Sequence, residues 1–345
     1  MQLRKPGGRK RHDHMLQVTK TRGGRVQIVV TCTSRKRRPV PMGLCFRTIS
    51  ASTAPVRHAM WAQALRDAPV DVVAATDLYG GDSWQIARSL PAQASGNDAA
   101  GRAELWVASA GYGLVNESAL LKPYAATFAG RHPDTVIHPG DPGDQRSRAR
   151  RWWQLLTSDP GPDRYAPRSL AALAATHSGE LLLVVASASY LAALADDLVA
   201  ARNALAAPEH LLIVSVGGCL GGLLANNLLP ADARLRMLVG GTLSALNLRV
   251  SRWLLERVGP GKLTLPAVHA ELARALAALE AWTPATGTRL SNTEVRQFIL
   301  SAQAEQPGLS RTALLRRLRA AGYACEQARF AAIMRSAEES LDGPA

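Results

Sequence analysis

The chain has 345 residues, of which 47% are of hydrophobic types and 20% are charged. This length predicts one main domain with a smaller appendage, and this composition excludes a wholly disordered chain, a collagen-like rod and a coiled coil. Lysine and arginine number 41 against 27 aspartates and glutamates, so the formal net charge is +14. Because such an excess attracts polyanions, nucleic acid is the first partner to consider, and no protein partner is predicted.

The cysteines and the apolar segments are typical of a cytoplasmic protein. Widely spaced cysteines, without the paired spacing of a zinc or iron–sulfur site, predict no disulfide framework, no metal and no other cofactor; they are Cys32, Cys45, Cys219 and Cys325. Glycine and asparagine interrupt the apolar stretch 211–229, so no membrane-spanning helix is expected. The first 25 residues are charged and have no apolar core, unlike a secretory signal.

Residues 1–24 are rich in arginine, lysine and glycine and lack an apolar pattern. We expect a basic flexible arm that lies along a phosphate backbone. A tail that only improves solubility is an equally good interpretation.

From residue 25 to residue 285, apolar runs alternate with helical patterns. The runs are 26–31, 103–109, 180–186, 210–215 and, as a fifth, 235–239. The helical patterns cover 56–66, 76–90, 146–156, 189–205 and 242–258. Because the runs are apolar throughout rather than at every second position, they predict a three-layer α/β fold with a mainly parallel sheet. Ligands bind outside the carboxyl ends of such strands, so the loops after the runs form the predicted site.

Residues 286–345 predict a separate helical domain. Ser291 and Glu294 form a helix-capping pattern, Ser310 caps a second helix that ends near Gly322, and a third helix follows. This order of helices resembles a helix-turn-helix unit that binds DNA. A basic helical bundle that contacts another protein is the alternative.

Four short motifs come in a fixed order in the first half of the chain. They are TCTSRK at 31–36, DLYGGDSW at 77–84, SAGYGLV at 109–115 and KPYAAT at 122–127. In these motifs the chain resembles a bacterial family of DUF6884 type, whose members carry CS-x-x-K, LY, SA-x-x-GL and PY-x-x-T in the same order. That family is similar to archaeosine-synthase-like and peroxide-stress proteins, and its fold is similar to that of the uracil-DNA glycosylase superfamily.

The resemblance implies a DNA glycosylase that flips a modified base out of double-stranded phage DNA and excises it, leaving an abasic site. The implied base is a glucosylated hydroxymethylcytosine, and the implied role is antiviral defence. The GQDPYH and HPSPLS motifs of the uracil enzymes are replaced here by TSRKR at 33–37 and VGGCLGG at 216–222, so their catalytic aspartate and histidine have no counterpart. The alternatives are a base-exchange enzyme allied to 7-deazaguanine modification of RNA or DNA, and a DNA-binding protein without activity.

Glycosidic cleavage builds positive charge on the sugar and negative charge on the leaving base. It therefore needs a carboxylate near the sugar and hydrogen-bond donors around the base. Asp77 is the first candidate for this carboxylate, with Glu117 and its neighbour Asn116 as further catalytic candidates. The favourable position of an acid in the first turn of a helix explains Asp77 equally well.

Residues of four types in the loops are candidates to bind the base. Serine and asparagine donate hydrogen bonds, glycine lets the main chain approach a ligand, and tyrosine stacks on an extruded base. A tyrosine with its ring in the core and its hydroxyl at the rim is the alternative. The predicted base-binding residues are Ser34, Tyr79, Gly80, Ser109, Gly111, Tyr112, Tyr124, Gly217, Gly218 and Asn247.

Basic side chains near these loops and in the C-terminal domain are expected to neutralise phosphates. A tryptophan joins them because it can wedge into the gap that a flipped nucleotide leaves. The predicted DNA-binding residues are Arg35, Lys36, Arg37, Arg38, Arg148, Arg151, Trp152, Arg249, Arg311, Arg316, Arg317 and Arg329.

Overall fold

The first apolar run forms the central strand of the larger of two units. The chain divides into residues 1–280 and 281–345. The computed structural model of the protein describes residues 25–95, 103–259, 261–280 and 287–339. The predicted basic arm, residues 1–24, lies outside the described residues.

The larger unit contains a central five-stranded sheet. Its strands are β1 (Val26–Thr31), β2 (Val73–Ala74), β3 (Ala103–Ser109), β4 (Gly113–Asn116), β5 (Leu120–Leu121), β6 (Leu181–Val185) and β7 (Leu211–Val214). The sheet has the order β4–β3–β1–β6–β7, and β2 and β5 form a separate antiparallel pair. β1 is parallel to β3 and β6, and β6 to β7, whereas β4 is antiparallel to β3. The predicted mainly parallel sheet is confirmed.

Helices flank this sheet. They are α1 (Ala54–Asp67), α2 (Ala75–Leu78), α3 (Asp82–Ser95), α4 (Gln145–Ser158), α5 (Leu170–Thr176), α6 (Ala188–Ala204), α7 (Arg236–Val239), α8 (Leu246–Val258) and α9 (Leu265–Ala277). The first five residues of β1 are all buried, and because successive side chains of a strand point to opposite faces, both faces are covered there. α3 and α8 pack against each other and against the strands, whereas α6 packs against α4 and α5, and α1 against α4.

Several predicted elements differ from the structure. The fifth run, 235–239, is wrong as a strand, because it contains the whole of the short helix α7. Asp232 caps the turn before this helix by accepting a hydrogen bond from the Arg234 N–H (2.8 Å), and Gly240 ends the helix with φ of +66°. The single helix predicted over 76–90 is divided into α2 and α3 at a turn that includes Gly81, whose φ is +95°. The sequence does not predict β4, α5 or α9.

Other segments cover parts of both outer edges of the sheet. At the β4 edge, Arg168 Nη1 donates to the Leu114 carbonyl (2.7 Å), and the Leu114 N–H donates to the Arg168 carbonyl (3.4 Å). At the β7 edge, the Leu229 N–H donates to the Ile213 carbonyl (2.8 Å), and the Ile213 N–H donates to the Asn227 carbonyl (2.9 Å). These contacts occupy backbone groups that an additional strand would otherwise use.

A buried ion pair fixes α1 to the loop before α4. The side chains of Arg57 and Asp141 are 1% and 7% exposed, and Arg57 Nη2 donates to Asp141 Oδ2. Arg57 Nη1 also donates to the Ala51 carbonyl (2.8 Å), while Arg148 Nε donates to the Asp141 carbonyl (2.7 Å). Because a buried charge without its partner is costly, each member of the pair depends on the other.

The smaller unit contains three helices and a short parallel strand pair. They are β8 (Thr288–Arg289), α10 (Asn292–Glu305), α11 (Arg311–Ala320), β9 (Tyr323–Ala324) and α12 (Gln327–Glu339). The predicted cap of α10 is confirmed, because Ser291 and Glu294 form a reciprocal capping box. Ser310 caps α11 by accepting from the Ala313 N–H (3.3 Å), as predicted.

Candidate functional site

The strand order creates a crevice at the carboxyl ends of β1 and β6. From β1 the chain proceeds to β3 on one side, and from β6 it proceeds to β7 on the other side. In open α/β sheets, ligands bind where neighbouring connections diverge in this way. The loop at residues 32–38 and the start of α6 therefore border the candidate site.

Cys32 and Tyr190 meet at this crevice. Cys32 is the first residue after β1, and Tyr190 lies in the first turn of α6. The Cys32 Sγ and the Tyr190 Oη are 3.1 Å apart. Burial raises the pKa of the Tyr190 hydroxyl well above its usual range, so this group stays protonated at neutral pH. The pair joins the loop after β1 to the helix after β6.

The side chain of Lys36 turns inward from the loop after β1. Its Nζ donates to the Thr33 carbonyl (2.5 Å) and lies 5.0 Å and 4.6 Å from the ring centroids of Tyr79 and Tyr124. Burial lowers the pKa of the Lys36 ammonium, an effect that the Cys32 sulfur partly opposes. No carboxylate of the described residues forms an ion pair with it. This inward position differs from the outer phosphate contact predicted for Lys36.

A network of buried hydroxyls continues from Ser109 at the end of β3. Ser109 Oγ accepts from the N–H groups of Gly111 (3.2 Å) and Tyr112 (3.0 Å), which use both of its lone pairs. Its single proton is therefore donated to Tyr124 Oη (2.6 Å), which lies 3.0 Å from Tyr79 Oη. Burial raises the pKa of Tyr79 and Tyr124 well above the usual range. The network holds both rings against Lys36 as neutral phenols.

Close packing and turn geometry explain three of the predicted glycines without a ligand. A Cβ on Gly111 would lie 2.6 Å from the Tyr124 ring, and a Cβ on Gly218 would lie 2.4 Å from Ser215 Oγ. Gly217 adopts φ of +74° in a turn, with open space beside it. These glycines shape the loops, which is a different role from the base contact predicted for them.

Asn247 on α8 links the loops after β6 and β7. Its Oδ1 accepts from the Val216 N–H (2.7 Å), and its Nδ2 donates to the Ala186 carbonyl (3.0 Å). Because both bonds go to backbone groups, Asn247 positions these two loops rather than offering its amide to a base. Ser215 beside Val216 is 2% exposed, and its Oγ has no hydrogen-bond partner within the described ranges.

The rest of the loop after β1 is exposed and basic. Arg35, Arg37 and Arg38 are exposed, and none of them forms an ion pair with a residue that the structure describes. The Gly80 N–H donates to the Arg35 carbonyl (3.0 Å), which fixes the loop to the segment before α3. Ser34 is also exposed. Three guanidinium groups are thus free to contact an anion.

A cavity of about 420 Å³ lies next to the tyrosines, a volume within the range of small-molecule sites. Trp61 and Tyr112 in its wall pack edge-on against the Tyr124 ring, with centroids 6.4 Å and 5.0 Å away. The remaining wall is mostly apolar and comes from α1 and residues 156–162. Its charged or titratable groups are His58, Arg66, Lys122, Asp159 and Arg168.

The polar groups of the cavity are already held by the backbone. The Tyr112 hydroxyl accepts from the Lys122 N–H (3.0 Å) and donates to the Lys122 carbonyl (3.2 Å). Arg168 donates to four backbone carbonyls of Tyr112, Leu114, Leu156 and Asp159. Burial lowers the pKa of both His58 and Arg168, while the Asp159 carboxylate opposes this effect on each. The cavity therefore offers fixed positive charge between apolar walls.

The predicted catalytic residues share no side-chain hydrogen bond or ion pair with Lys36, Tyr79 or Tyr124 in the part of the chain that the structure describes. Asn116 ends β4, which leads back from the carboxyl edge, and the Glu117 N–H donates to the Leu105 carbonyl (3.0 Å). Leu105 precedes Ser109 by four residues, so Glu117 lies roughly 13 Å back along β3 at about 3.3 Å per residue. Asp77 is exposed on α2, and its carboxylate shares no hydrogen bond or ion pair with a described residue. The Asp77 segment adjoins the loop after β1, because the Arg37 N–H donates to the Leu78 carbonyl (2.8 Å), whereas Asn116 and Glu117 lie back from the crevice.

Three predicted DNA contacts of the larger unit have other partners, and one is exposed. Trp152 is wrong as a DNA wedge, because it is 1% exposed and its indole N–H donates to a backbone carbonyl after β3 (2.9 Å). Arg249 Nη2 pairs with Asp82 Oδ2 (2.8 Å), and Arg148 supports the buried ion pair described above. Arg151 is exposed on α4.

In the smaller unit, the predicted DNA contacts fall into two groups. Arg311 and Arg316 are exposed and line a basic pocket of about 230 Å³. Arg317 pairs with a glutamate of α10, and Arg329 donates to an asparagine side chain (2.9 Å) and a backbone carbonyl (2.7 Å) at the start of α10. Arg329 therefore supports the three-helix packing.

Two residues of the crevice were not predicted, although the sequence carries a signal for each. Cys32 directly follows a predicted strand, in the position where a ligand-binding loop begins, and Tyr190 lies three residues after Ser187 in the loop after β6. His58 and Asp159 of the cavity carry no such signal, because α1 and the end of α4 meet only in the folded chain.

Comparison with known proteins finds no family model that matches the chain and no curated protein that is similar to it. Within the described ranges, no group of three or more histidine, cysteine or acidic residues is arranged to hold a metal ion. No described helix is long and apolar enough to cross a membrane. What the site does must therefore be inferred from its own chemistry.

Proposed function

We propose that the protein is a DNA glycosylase that flips and excises a modified base from phage DNA, as part of antiviral defence. The observation that carries this proposal is the inward lysine, Lys36, held against Tyr79 and Tyr124 in the same loop as three exposed arginines. The arginines suit the phosphates that flank a flipped nucleotide, and the lysine amine suits the nucleotide itself.

The site favours departure of the base as an anion. Breaking the glycosidic bond leaves negative charge on the base, and donors in a water-poor site stabilise such charge far better than donors in water. Lys36 Nζ supplies N–H donors beside the rings of Tyr79 and Tyr124, whose buried hydroxyls stay protonated. Since none of the predicted acids is bonded to the lysine or the tyrosines, the proposed catalysis acts on the leaving base rather than through a carboxylate beside the sugar.

The cavity beyond Tyr124 is our candidate for the modified part of the base. The Tyr124 ring and the wall formed by Trp61 and Tyr112 lie between it and Lys36, and its apolar walls with fixed cations suit a bulky polar adduct. Ala62→Trp would place an indole in this cavity, and Gln63→Trp places the same group on the exposed side of α1. We expect only Ala62→Trp to abolish base release while DNA affinity is retained.

The direct test is mass spectrometry of bases released from two duplex DNAs that differ only in glucosylated hydroxymethylcytosine. We expect release of the modified base from the first and no release from the second. Incorporation of a free 7-deazaguanine base in place of the released one would instead indicate a base-exchange enzyme. Binding of both DNAs without any release would indicate a DNA-binding protein without activity.

The role of the arginines is tested by a charge-matched comparison. Replacing Arg35, Arg37 and Arg38 together by glutamine should weaken DNA binding and lower the slope of log affinity against log salt by up to about 2.7, at about 0.9 per phosphate contact. Replacement of the same three by lysine should largely preserve both quantities. An unchanged slope in the glutamine variant would contradict the proposed DNA contact.

A further inference from the structure

Lys36 differs from the other described lysines in where its amine lies. Lys122 Nζ donates to two backbone carbonyls at the end of α1 (2.7 Å each), and Lys262 is exposed. Lys36 Nζ has one hydrogen bond, to the Thr33 carbonyl, and otherwise faces aromatic rings. Lysine acts as a nucleophile in surroundings of this kind, where the amine is desolvated and has no counter-ion.

Several groups around Lys36 determine its charge. Burial disfavours an ammonium, whereas the tyrosine rings and the Cys32 sulfur favour one. Burial is the largest of these effects, so the pKa of the amine is lowered. The phenols of Tyr79 and Tyr124 remain protonated, because burial raises their pKa values. Between the amine and the two phenols, the amine is therefore the group that can more easily offer a free electron pair.

We propose that Lys36 is the nucleophile of the reaction: its Nζ attacks C1′ of the flipped nucleotide, and the protein then also breaks the DNA strand at that position. This inference rests on the proposed base excision and adds to it the attacking group and a second product. Water, by contrast, would leave an intact abasic strand.

The bonds and protons of this sequence balance without any further reactant except water. The Lys36 electron pair forms the Nζ–C1′ bond while the bond between C1′ and the base breaks. The base leaves with the electron pair of the broken bond and takes a proton from the new ammonium. The sugar ring then opens, O4′ takes up a proton from water, and an imine that keeps the second amine proton remains between Nζ and C1′. The hydroxide left by that water takes a C2′ proton, and the C3′–O bond breaks and expels the 3′ phosphate. Hydrolysis of the imine returns the Lys36 amine and releases an unsaturated aldehyde.

The test uses the full chain and a duplex with one preformed abasic site, so that it does not depend on which base is recognised. Borohydride reduces an imine to a stable amine, and we expect it to trap a protein–DNA adduct whose modified peptide contains Lys36. Without borohydride, we expect a nicked strand with no alkali treatment. Lys36→Arg keeps the charge and Lys36→Gln keeps much of the length; in each, trapping and nicking should fall at least 100-fold. Lys262→Arg, at an exposed turn, should leave both unchanged.

The outcomes separate this inference from the proposed function. Release of the modified base with no trapped adduct, and strand breakage only after alkali, would overturn the role of Lys36 and leave the glycosylase standing. An adduct that maps to another lysine, or that survives in a folded Lys36→Arg variant with the melting temperature of the original chain, would also overturn it. Trapping at Lys36 on abasic DNA without base release from any modified DNA would support the nucleophile and contradict the proposed function.

Discussion

Replacing Tyr124 with phenylalanine removes one oxygen from the middle of the hydroxyl network and leaves the ring in place. The lost oxygen accepts from Ser109 Oγ at 2.6 Å and lies 3.0 Å from Tyr79 Oη, and all three side chains are fully buried. No water can reach the two groups that lose their partner. The change therefore isolates the hydrogen-bond contribution from the packing of the aromatic ring against Trp61 and Tyr112.

The expected cost follows from the two buried partners that are left unsatisfied. At about 1–2 kcal/mol each, Tyr124→Phe should lower the free energy of unfolding of the larger unit by roughly 2–4 kcal/mol. At about 2–4 °C per kcal/mol, this corresponds to a fall in melting temperature of roughly 4–16 °C. Because Tyr79→Phe removes one of the same bonds, the double variant should lose about 1 kcal/mol less than the sum of the single losses.

Urea unfolding followed by tryptophan fluorescence measures these quantities, since Trp61 and Trp84 lie in the core of the larger unit. The slope of the free energy with urea should be the same for all variants, because the surface exposed on unfolding does not change. A loss below about 0.5 kcal/mol in Tyr124→Phe would refute the network, given the cost of a buried unsatisfied group. Additivity of the two single losses would refute the coupling between the two hydroxyls.

Three further predictions test other parts of the molecule. Asp141→Asn leaves the Arg57 guanidinium buried without its counter-charge, so urea unfolding should show a loss of about 3–5 kcal/mol, and the apolar pair Arg57→Met with Asp141→Leu should lose much less. Asn247→Ala releases the Val216 N–H and the Ala186 carbonyl, so hydrogen exchange at the Val216 amide should accelerate; unchanged protection there would show that Asn247 does not hold the loops. The pKa of His58 is lowered by burial from its ordinary 6.5, so the unfolded chain binds more protons than the folded chain just below that pH. Stability should therefore decline as the pH falls from 7 to 5, and this decline should be shallower in His58→Gln.

The sheet could be predicted because its central strands are continuous apolar runs, but the position of single side chains could not. The run 235–239 is compatible with a strand or a helix; the Asp232 cap and Gly240 favour the helix, and the covered edge of β7 leaves no place for a sixth strand. Lys36 turns inward because its segment pairs with Tyr79, more than forty residues away, which no local pattern reveals. The sequence predicts Glu117 at the carboxyl edge, because Gly113 resembles any other loop glycine. In the structure the chain reverses at Gly113 into the antiparallel strand β4, which leads away from that edge.

The guanidinium of Arg168 has two roles, because it donates a hydrogen bond to β4 at the edge of the sheet and also lines the cavity. The shape of the cavity and the cover of this sheet edge therefore depend on one side chain. Replacing it to reshape the cavity would leave the backbone carbonyls that it now binds without their donor. Diversification of the cavity should therefore proceed through its aliphatic positions while the arginine stays in place.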